Sequence, residues 1–273
     1  MAEAFGRNPA DLIALGATCE MLHNATLVHD DLQDGDTTRR GRATVWAHYG
    51  MPQAVNLGDA MFYYTILLTQ RLDVPAVRRE AIAHRVLCDT LRVIDGQERE
   101  FALKKQERIA ITDYFRMVEG KTSGLFALPM AGAAEVLGMP KDVVDGLAEA
   151  ACHLGVVFQI QDDVLDLYGD KGREVRGSDI GEGKRSALVV HALECCSERD
   201  RAWLTAILDK PREETTEQDV RDVIALFDRT GSLDFALSEI QRRREAALAV
   251  PALAAHPRVL EMISGLYDLF LRP

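Results

Sequence analysis

No C-x-x-C pair occurs in the sequence, and the five cysteines, Cys19, Cys88, Cys152, Cys195 and Cys196, are odd in number. Neither a disulfide framework nor a zinc site is expected, and a reducing cytoplasm fits such usage. Basic residues are in deficit, with 32 Lys and Arg against 43 Asp and Glu, a formal net charge of -11. That field repels polyanions, so nucleic acid and acidic membrane surfaces are not expected partners, and a polyanionic substrate would need metal ions or a local basic patch. Long apolar runs are missing too. The least polar stretch, residues 124–139, is interrupted by Pro129 and Glu135 and falls short of a membrane span, and the first residues lack the basic-then-apolar order of a signal peptide, so a soluble protein is expected. Proline is sparse, and no alternating run of apolar and β-branched residues is long enough to propose a sheet.

What remains reads as all-α. From Ala10 to about Asp34, the residues Leu12, Leu15, Cys19, Leu22 and Thr26 recur at steps of three or four, a helical face that runs on into Asp30 and Asp34. A second helix, from Lys141 to about Tyr168, sets Val144, Leu147, Ala151, Leu154 and Phe158 in line, and the next places on that stripe are Asp162 and Asp166. Further helices are predicted near 54–72, 76–106, 111–121 and 125–137, broken by Pro52, Pro75 and the polar residues around 104–108. A loop rich in glycine and charge, 169–183, precedes the remaining helices. No low-complexity linker or fixed repeat divides the chain, so one domain over 1–273 is the simplest expectation.

The pattern D-D-x-x-D occurs twice, as Asp30, Asp31, Asp34 and as Asp162, Asp163, Asp166. Counting is weak evidence, because with this acidic content three fixed positions match by chance roughly once per chain. Position is stronger evidence: both triplets continue core-facing stripes, where unpaired carboxylates cost several kcal/mol each. Residues four apart stack on a helix, so Asp30 with Asp34, and Asp162 with Asp166, can each pinch a cation. All-oxygen donors with no Cys or His in either triplet point to a hard divalent ion, magnesium above calcium if phosphate oxygens complete the shell. Two such helices facing each other across a bundle would hold ions that a diphosphate bridges. The competing reading, helix caps or surface acidic patches, is disfavoured because carboxylates at helix C-termini oppose the macrodipole.

Directly after the first triplet comes Thr37-Thr38-Arg39-Arg40-Gly41-Arg42, and arginine forks match phosphate oxygens. Here the sequence resembles the trans-isoprenyl diphosphate synthases, or polyprenyl synthetases, on residues 27–34 with Arg39-Arg40-Gly41, and again on residues 158–166. The likeness extends over nearly the whole chain, including Gly58-Asp59, Gly96-Gln97, Gly120-Lys121-Thr122 and residues 179–184. It implies an isoprenoid synthase helical bundle around a deep central cavity, a homodimer, and magnesium-dependent condensation of isopentenyl diphosphate with an allylic diphosphate. On that resemblance Asp30, Asp31, Asp34, Asp162 and Asp166 would ligate magnesium, with Asp163 a ligand or a support. Arg39, Lys121 and Lys184 would neutralise the leaving diphosphate, while His23 and Arg40 would hold isopentenyl diphosphate. Thr122 and Gln159 would turn oxygen dipoles toward the allylic cation, and Phe158 would lie against the isopentenyl hydrocarbon. Taken singly, a histidine on a half-apolar face is more often a satisfied core residue, Gln97 more often a backbone partner, and a lysine more often solvated. The resemblance also leaves a non-catalytic partner subunit and a class I terpene cyclase as rivals. Intact clusters weigh against the first, and a second D-D-x-x-D against the other.

Two departures stand out. The family's upstream Gly-Lys-x-x-Arg-type segment is absent, and Arg7 is the only Lys or Arg before Arg39, so an N-terminus lacking the usual first helices, with weak isopentenyl diphosphate affinity, is expected. In residues 170–177, Lys171, Arg173 and Arg176 could each stand for the lysine of a family Gly-Lys pair, and the choice stays open. Ala25 and Thr26, five and four places before Asp30, are small, so the likeness implies no stop at fifteen carbons. A product of twenty or more is expected, with Cys19 and Leu22 continuing the wall and Phe62, Tyr63 and Tyr64 as a floor.

Overall fold

The computed structural model describes residues 1–106, 108–169 and 177–270. Among them are thirteen α-helices and one two-stranded hairpin, Thr38–Arg39 with Arg42–Ala43. The protein is all-α, and the hairpin is too short for alternation to announce it. The periodic stretches are the helices Ile13–Asp34, Met51–Thr69, Ala76–Lys104, Ile111–Lys121, Ser123–Val136 and Lys141–Tyr168. Pro52 does not break a helix. It lies in the first turn of Met51–Thr69, where an amide proton has no helical partner to lose. Pro9–Leu12 is a 3-10 turn rather than the start of the first helix, opened by Asn8, whose Oδ1 accepts from the Ala10 amide at 3.0 Å.

By packing the chain falls into two compact units, Met1–Leu91 with Ala127–Ala148, and Arg92–Phe126 with Glu149–Pro273. In the first, Ile13–Asp34 lies along Met51–Thr69, with Leu15, Leu22 and Ala25 buried on one helix and Ala54, Gly58 and Thr65 on the other. The small residues permit a close approach: a methyl group on Gly58 would fall 2.2 Å from Nε2 of His29, whose ring occupies that space. Arg85 Nε donates to Glu135 Oε2 at 3.2 Å, and Arg78 Nη1 to the Val136 carbonyl at 3.3 Å, fixing the end of Ser123–Val136. Gly138, at φ 73°, then turns the chain in a conformation other residues rarely adopt.

The second unit is built around Ala187–Cys195, whose residues Ala187, Leu188, Val189, Val190 and Ala192 are all buried. A helix apolar on every side belongs in a core. Val156, Val157, Ile160, Leu204, Phe227 and Ile240 are buried in the same unit, and each such side chain contributes roughly 2 kcal/mol. Ser186 caps the helix, its Oγ accepting from the Val189 amide. Lys141–Tyr168 is long and apolar enough to cross a membrane by length and composition, but 61% of its most apolar window is buried in protein, as expected of a core helix.

Candidate functional site

The first cluster occupies the last turn of Ile13–Asp34, which ends at Gly35 with φ 74°. Asp30 and Asp34, one turn apart, share a face and are half-buried, while Asp31 is buried. Three carboxylates at a negative helix end need a cation, and the hairpin supplies one. Arg39 Nε donates to Asp31 Oδ1 at 2.5 Å, and its Nη2 lies 3.7 Å from Asp30 Oδ2. The hairpin can fold back so tightly because Arg40 and Gly41 take φ 52° and 73°, the left-handed pair that a two-residue turn requires. For Arg40 that costs about 1 kcal/mol, which Asn or Gly would not incur. Thr44 Oγ1 and Trp46 Nε1 both donate to the Asp36 carbonyl, at 2.8 and 2.7 Å, locking the approach to the hairpin. Burial raises the pKa of Asp31 above the ordinary carboxylate range, and Arg39 offsets part of that.

His23 is half-buried, two turns before Asp30 on the same helix. Burial lowers its pKa, Arg40 and Arg39 lower it further, and Glu20 and Asp30 oppose. Its imidazole is therefore within electrostatic reach of both arginines and neutral at pH 7. Ala25 is wholly buried, whereas Thr26 is half-buried and donates to the His23 carbonyl at 2.8 Å. Leu22 is buried, and burial pushes the Cys19 thiol up to about 12, so this wall is uncharged. Phe62, Tyr63 and Tyr64 form no common floor. Consecutive helical residues diverge by 100°, so Phe62 turns to His29 at 5.5 Å between ring centres while Tyr63 and Tyr64 are 75% and 58% exposed.

The second cluster ends Lys141–Tyr168. Asp162 is half-buried, while Asp163 and Asp166 are buried and strongly engaged. Asp163 Oδ2 accepts from Tyr114 Oη and from the Ala187 amide, both at 2.8 Å, and its Oδ1 accepts from Gln159 Nε2 at 3.1 Å. Even so, burial, reinforced by Asp179, pushes the Asp163 pKa up to about 7. Asp166 accepts from Ser178 Oγ at 2.6 Å and from the Asp179 amide at 3.1 Å, which ties the start of Ser178–Gly181 to the end of Lys141–Tyr168. Lys171, Arg173 and Arg176 lie outside the described residues.

Beside this cluster the helix Ile111–Lys121 gives way to Ser123–Val136, and the bend is held from two sides. Lys121 donates through Nζ to buried Glu100. Thr122 Oγ1 donates to Gln159 Oε1 at 3.1 Å, so Thr122, Gln159 and Asp163 form one hydrogen-bonded chain. Lys184 lies 3.3 Å from Asp179 and 2.7 Å from Glu182. Burial opposes its charge, but those two carboxylates more than compensate and hold its pKa above the usual lysine value. Phe158, 40% exposed, stacks its edge into a trio with Phe126 at 5.5 Å and Phe270 at 5.2 Å.

Arg39 is thus paired with the first acidic motif, while Lys121 and Lys184 lie in the unit of the second, held by Glu100 and by Asp179 and Glu182. The sequence model of the family described as polyprenyl synthetase matches residues 1–227. The chain belongs to that family. A similar polyprenyl synthetase is the short chain isoprenyl diphosphate synthase of Methanothermobacter thermautotrophicus, 34% identical over 86% of this chain and 71% of the relative. Another is the geranylgeranyl diphosphate synthase of Mycobacterium tuberculosis, 34% identical over 91% and 71%. Among solved structures, the polyprenyl synthetase from Streptomyces coelicolor A3(2) superposes with a TM-score of 0.90 at 30% identity, covering 99% of this chain and 82% of that one.

Several residues around the polyprenyl synthetase motifs carry no signal of their own. Tyr114 reaches Asp163 across 49 positions of sequence, and only its spacing of seven from Lys121, one helical face, hints at it. Glu100 and Ser178 are ordinary residues until folding sets them beside Lys121 and Asp166, and the matched stretch 179–184 does not by itself say that Asp179 and Glu182 hold Lys184.

Proposed function

We infer that this polyprenyl synthetase is a trans-prenyltransferase that ionises an allylic diphosphate and joins it to isopentenyl diphosphate. The observation that carries the reading is a D-D-x-x-D triplet at the C-terminal end of each of two long helices, with Arg39 paired to the first and Lys121 and Lys184 in the unit of the second. Among the described residues no three His, Cys, Asp or Glu side chains form a group able to hold a metal by themselves. Asp30 and Asp31 are paired with Arg39, and Asp163 and Asp166 accept from protein donors. Half-buried carboxylates such as Asp30, Asp34 and Asp162 are oxygen donors of the kind magnesium takes, an ion that keeps waters and completes its shell with substrate phosphate oxygens. On the family resemblance Asp30, Asp31 and Asp34 at the first cluster, and Asp162 and Asp166 at the second, would hold magnesium, with Asp163 a ligand or a support. Bound there, magnesium would draw negative charge from the leaving diphosphate.

The chain's own residues do the rest. On the family resemblance Arg39, Lys121 and Lys184 would neutralise the diphosphate as the allylic C–O bond breaks and its electron pair moves to oxygen, an electrostatic stabilisation of separated charge. Oxygen atoms of Thr122 and Gln159 face the carbocation, and His23 and Arg40 hold isopentenyl diphosphate with its alkene close to the cation. The alkene pair forms the new C–C bond, and a proton then leaves to the released diphosphate, restoring a double bond. No side-chain nucleophile takes part. Small, half-buried Thr26 on an uncharged helix face, with the likeness to geranylgeranyl diphosphate synthases, supports a product of about twenty carbons or more. The likeness also supports one synthase domain, a homodimer, and a soluble enzyme working in the cytoplasm.

The test is incubation of the purified protein with magnesium, farnesyl diphosphate and labelled isopentenyl diphosphate. Label should pass into the organic-extractable fraction, stop doing so with EDTA, and fall at least about a hundredfold in Asp30→Asn and Asp162→Asn, the scale of losing a transition-state electrostatic contact. Label left in the aqueous phase by the unaltered protein would instead support a non-catalytic subunit.

A further inference from the structure

Glu100 and Gly96 make a seat for Lys121. The helix Ala76–Lys104 carries both, one turn apart, and the backbone of Ile111–Lys121 crosses it at van der Waals contact. A methyl group on Gly96 would fall 2.0 Å from the Lys121 amide nitrogen, and one on Gly120 would fall 3.0 Å from the Gly96 Cα. One turn on, the Glu100 side chain is only 11% exposed, and its Oε2 accepts from Lys121 Nζ. A buried carboxylate is costly, and one that serves only solubility would be in water. The Glu100 charge is also felt by Lys184, whose ammonium sits between Asp179 and Glu182.

We propose that Glu100 is a positioning residue, fixing the Lys121 ammonium at the place from which it meets the allylic diphosphate. This rests on the assignment of Lys121 to that diphosphate made above. A lysine carries several rotatable bonds, and ordering it only when substrate arrives would weaken binding. Glu100 keeps it ordered beforehand. The alternative is that Glu100 is merely a nearby negative charge that repels diphosphate. The two accounts differ in sign: removing the charge should then strengthen binding, and shortening the side chain without changing the charge should do nothing.

The experiment measures the affinity of the full chain, with magnesium, for farnesyl S-thiolodiphosphate, an allylic analogue that resists ionisation, by calorimetry. KM for isopentenyl diphosphate is measured in parallel. Glu100→Gln and Glu100→Asp should each weaken analogue binding about tenfold, the scale of one charge-assisted hydrogen bond, while leaving KM for isopentenyl diphosphate unchanged. In a Lys121→Ala background, Glu100→Gln should add nothing. Tighter binding by Glu100→Gln, or wild-type affinity in both Glu100 variants while Lys121→Ala is impaired, would overturn the positioning role and leave the Lys121 assignment standing. Wild-type affinity in Lys121→Ala would overturn that assignment and the positioning role with it. Circular dichroism checks that each variant is folded, and Glu100→Asp, which keeps the charge, decides the matter if Glu100→Gln is not.

Discussion

At the scale of single residues, the two aspartate triplets look alike in sequence and differ in the fold. Asp31 is buried against one arginine, whereas Asp163 is buried among a tyrosine hydroxyl, a backbone amide and a glutamine amide. Its carboxyl is pushed up to about 7, first by burial and then by Asp179, against about 3.9 in an unfolded chain. The sign follows from proton linkage. Between about pH 4 and 7 the native state keeps a proton that the unfolded state has released, so this group's contribution is fully present below pH 4 and lost as pH rises through 7. Thermal midpoints measured without divalent ions should fall across that window more steeply in the wild type than in Asp163→Asn, whatever the level at which the variant starts. Equal slopes would show that Asp163 does not titrate there.

At the scale of elements, close helix contacts through glycine set the site. Gly155 of Lys141–Tyr168 faces the start of Ser123–Val136, where a methyl group would fall 2.7 Å from Ser123 Cα, and Gln159, one turn on, takes the Thr122 hydrogen bond. The same plan recurs at Gly96 and Glu100. Gly155→Ala should therefore destabilise by about 1–3 kcal/mol through overpacking, despite alanine's better helix propensity. Gly16→Ala and Gly265→Ala, helical positions with nothing within 4 Å of the added carbon, should instead stabilise by up to about 1 kcal/mol. Denaturant midpoints distinguish these cases. The long helices were legible because a 3.6-residue period survives over twenty or more residues. Val45–Tyr49 and the Arg39–Arg42 hairpin were not, because five residues or two paired ones carry too little periodicity, and the hairpin's left-handed turn falls on an arginine rather than on the usual Asn-Gly.

At the scale of the whole molecule, product length is the property most open to test. Thr26 is the better position for substitution, because Ala25 is wholly buried and Ala25→Phe would cost about 1–3 kcal/mol in overpacking before any product was made. Thr26→Phe should shift the main product toward fifteen carbons or fewer, read by chromatography of the dephosphorylated alcohols. An unchanged chain length would remove this helix face from the tail's path. The sequence by itself determined the helical class, the two long acidic-tipped helices and the candidate cations, because each is written in local spacing or in a short contiguous motif. Only the tertiary structure decided which carboxylates stay accessible, that Tyr114 and the Ala187 amide hold Asp163, and that Glu100 holds Lys121. The physical reason is that burial and hydrogen-bond pairing depend on residues tens of positions apart meeting within about 3 Å, and no local pattern encodes such meetings.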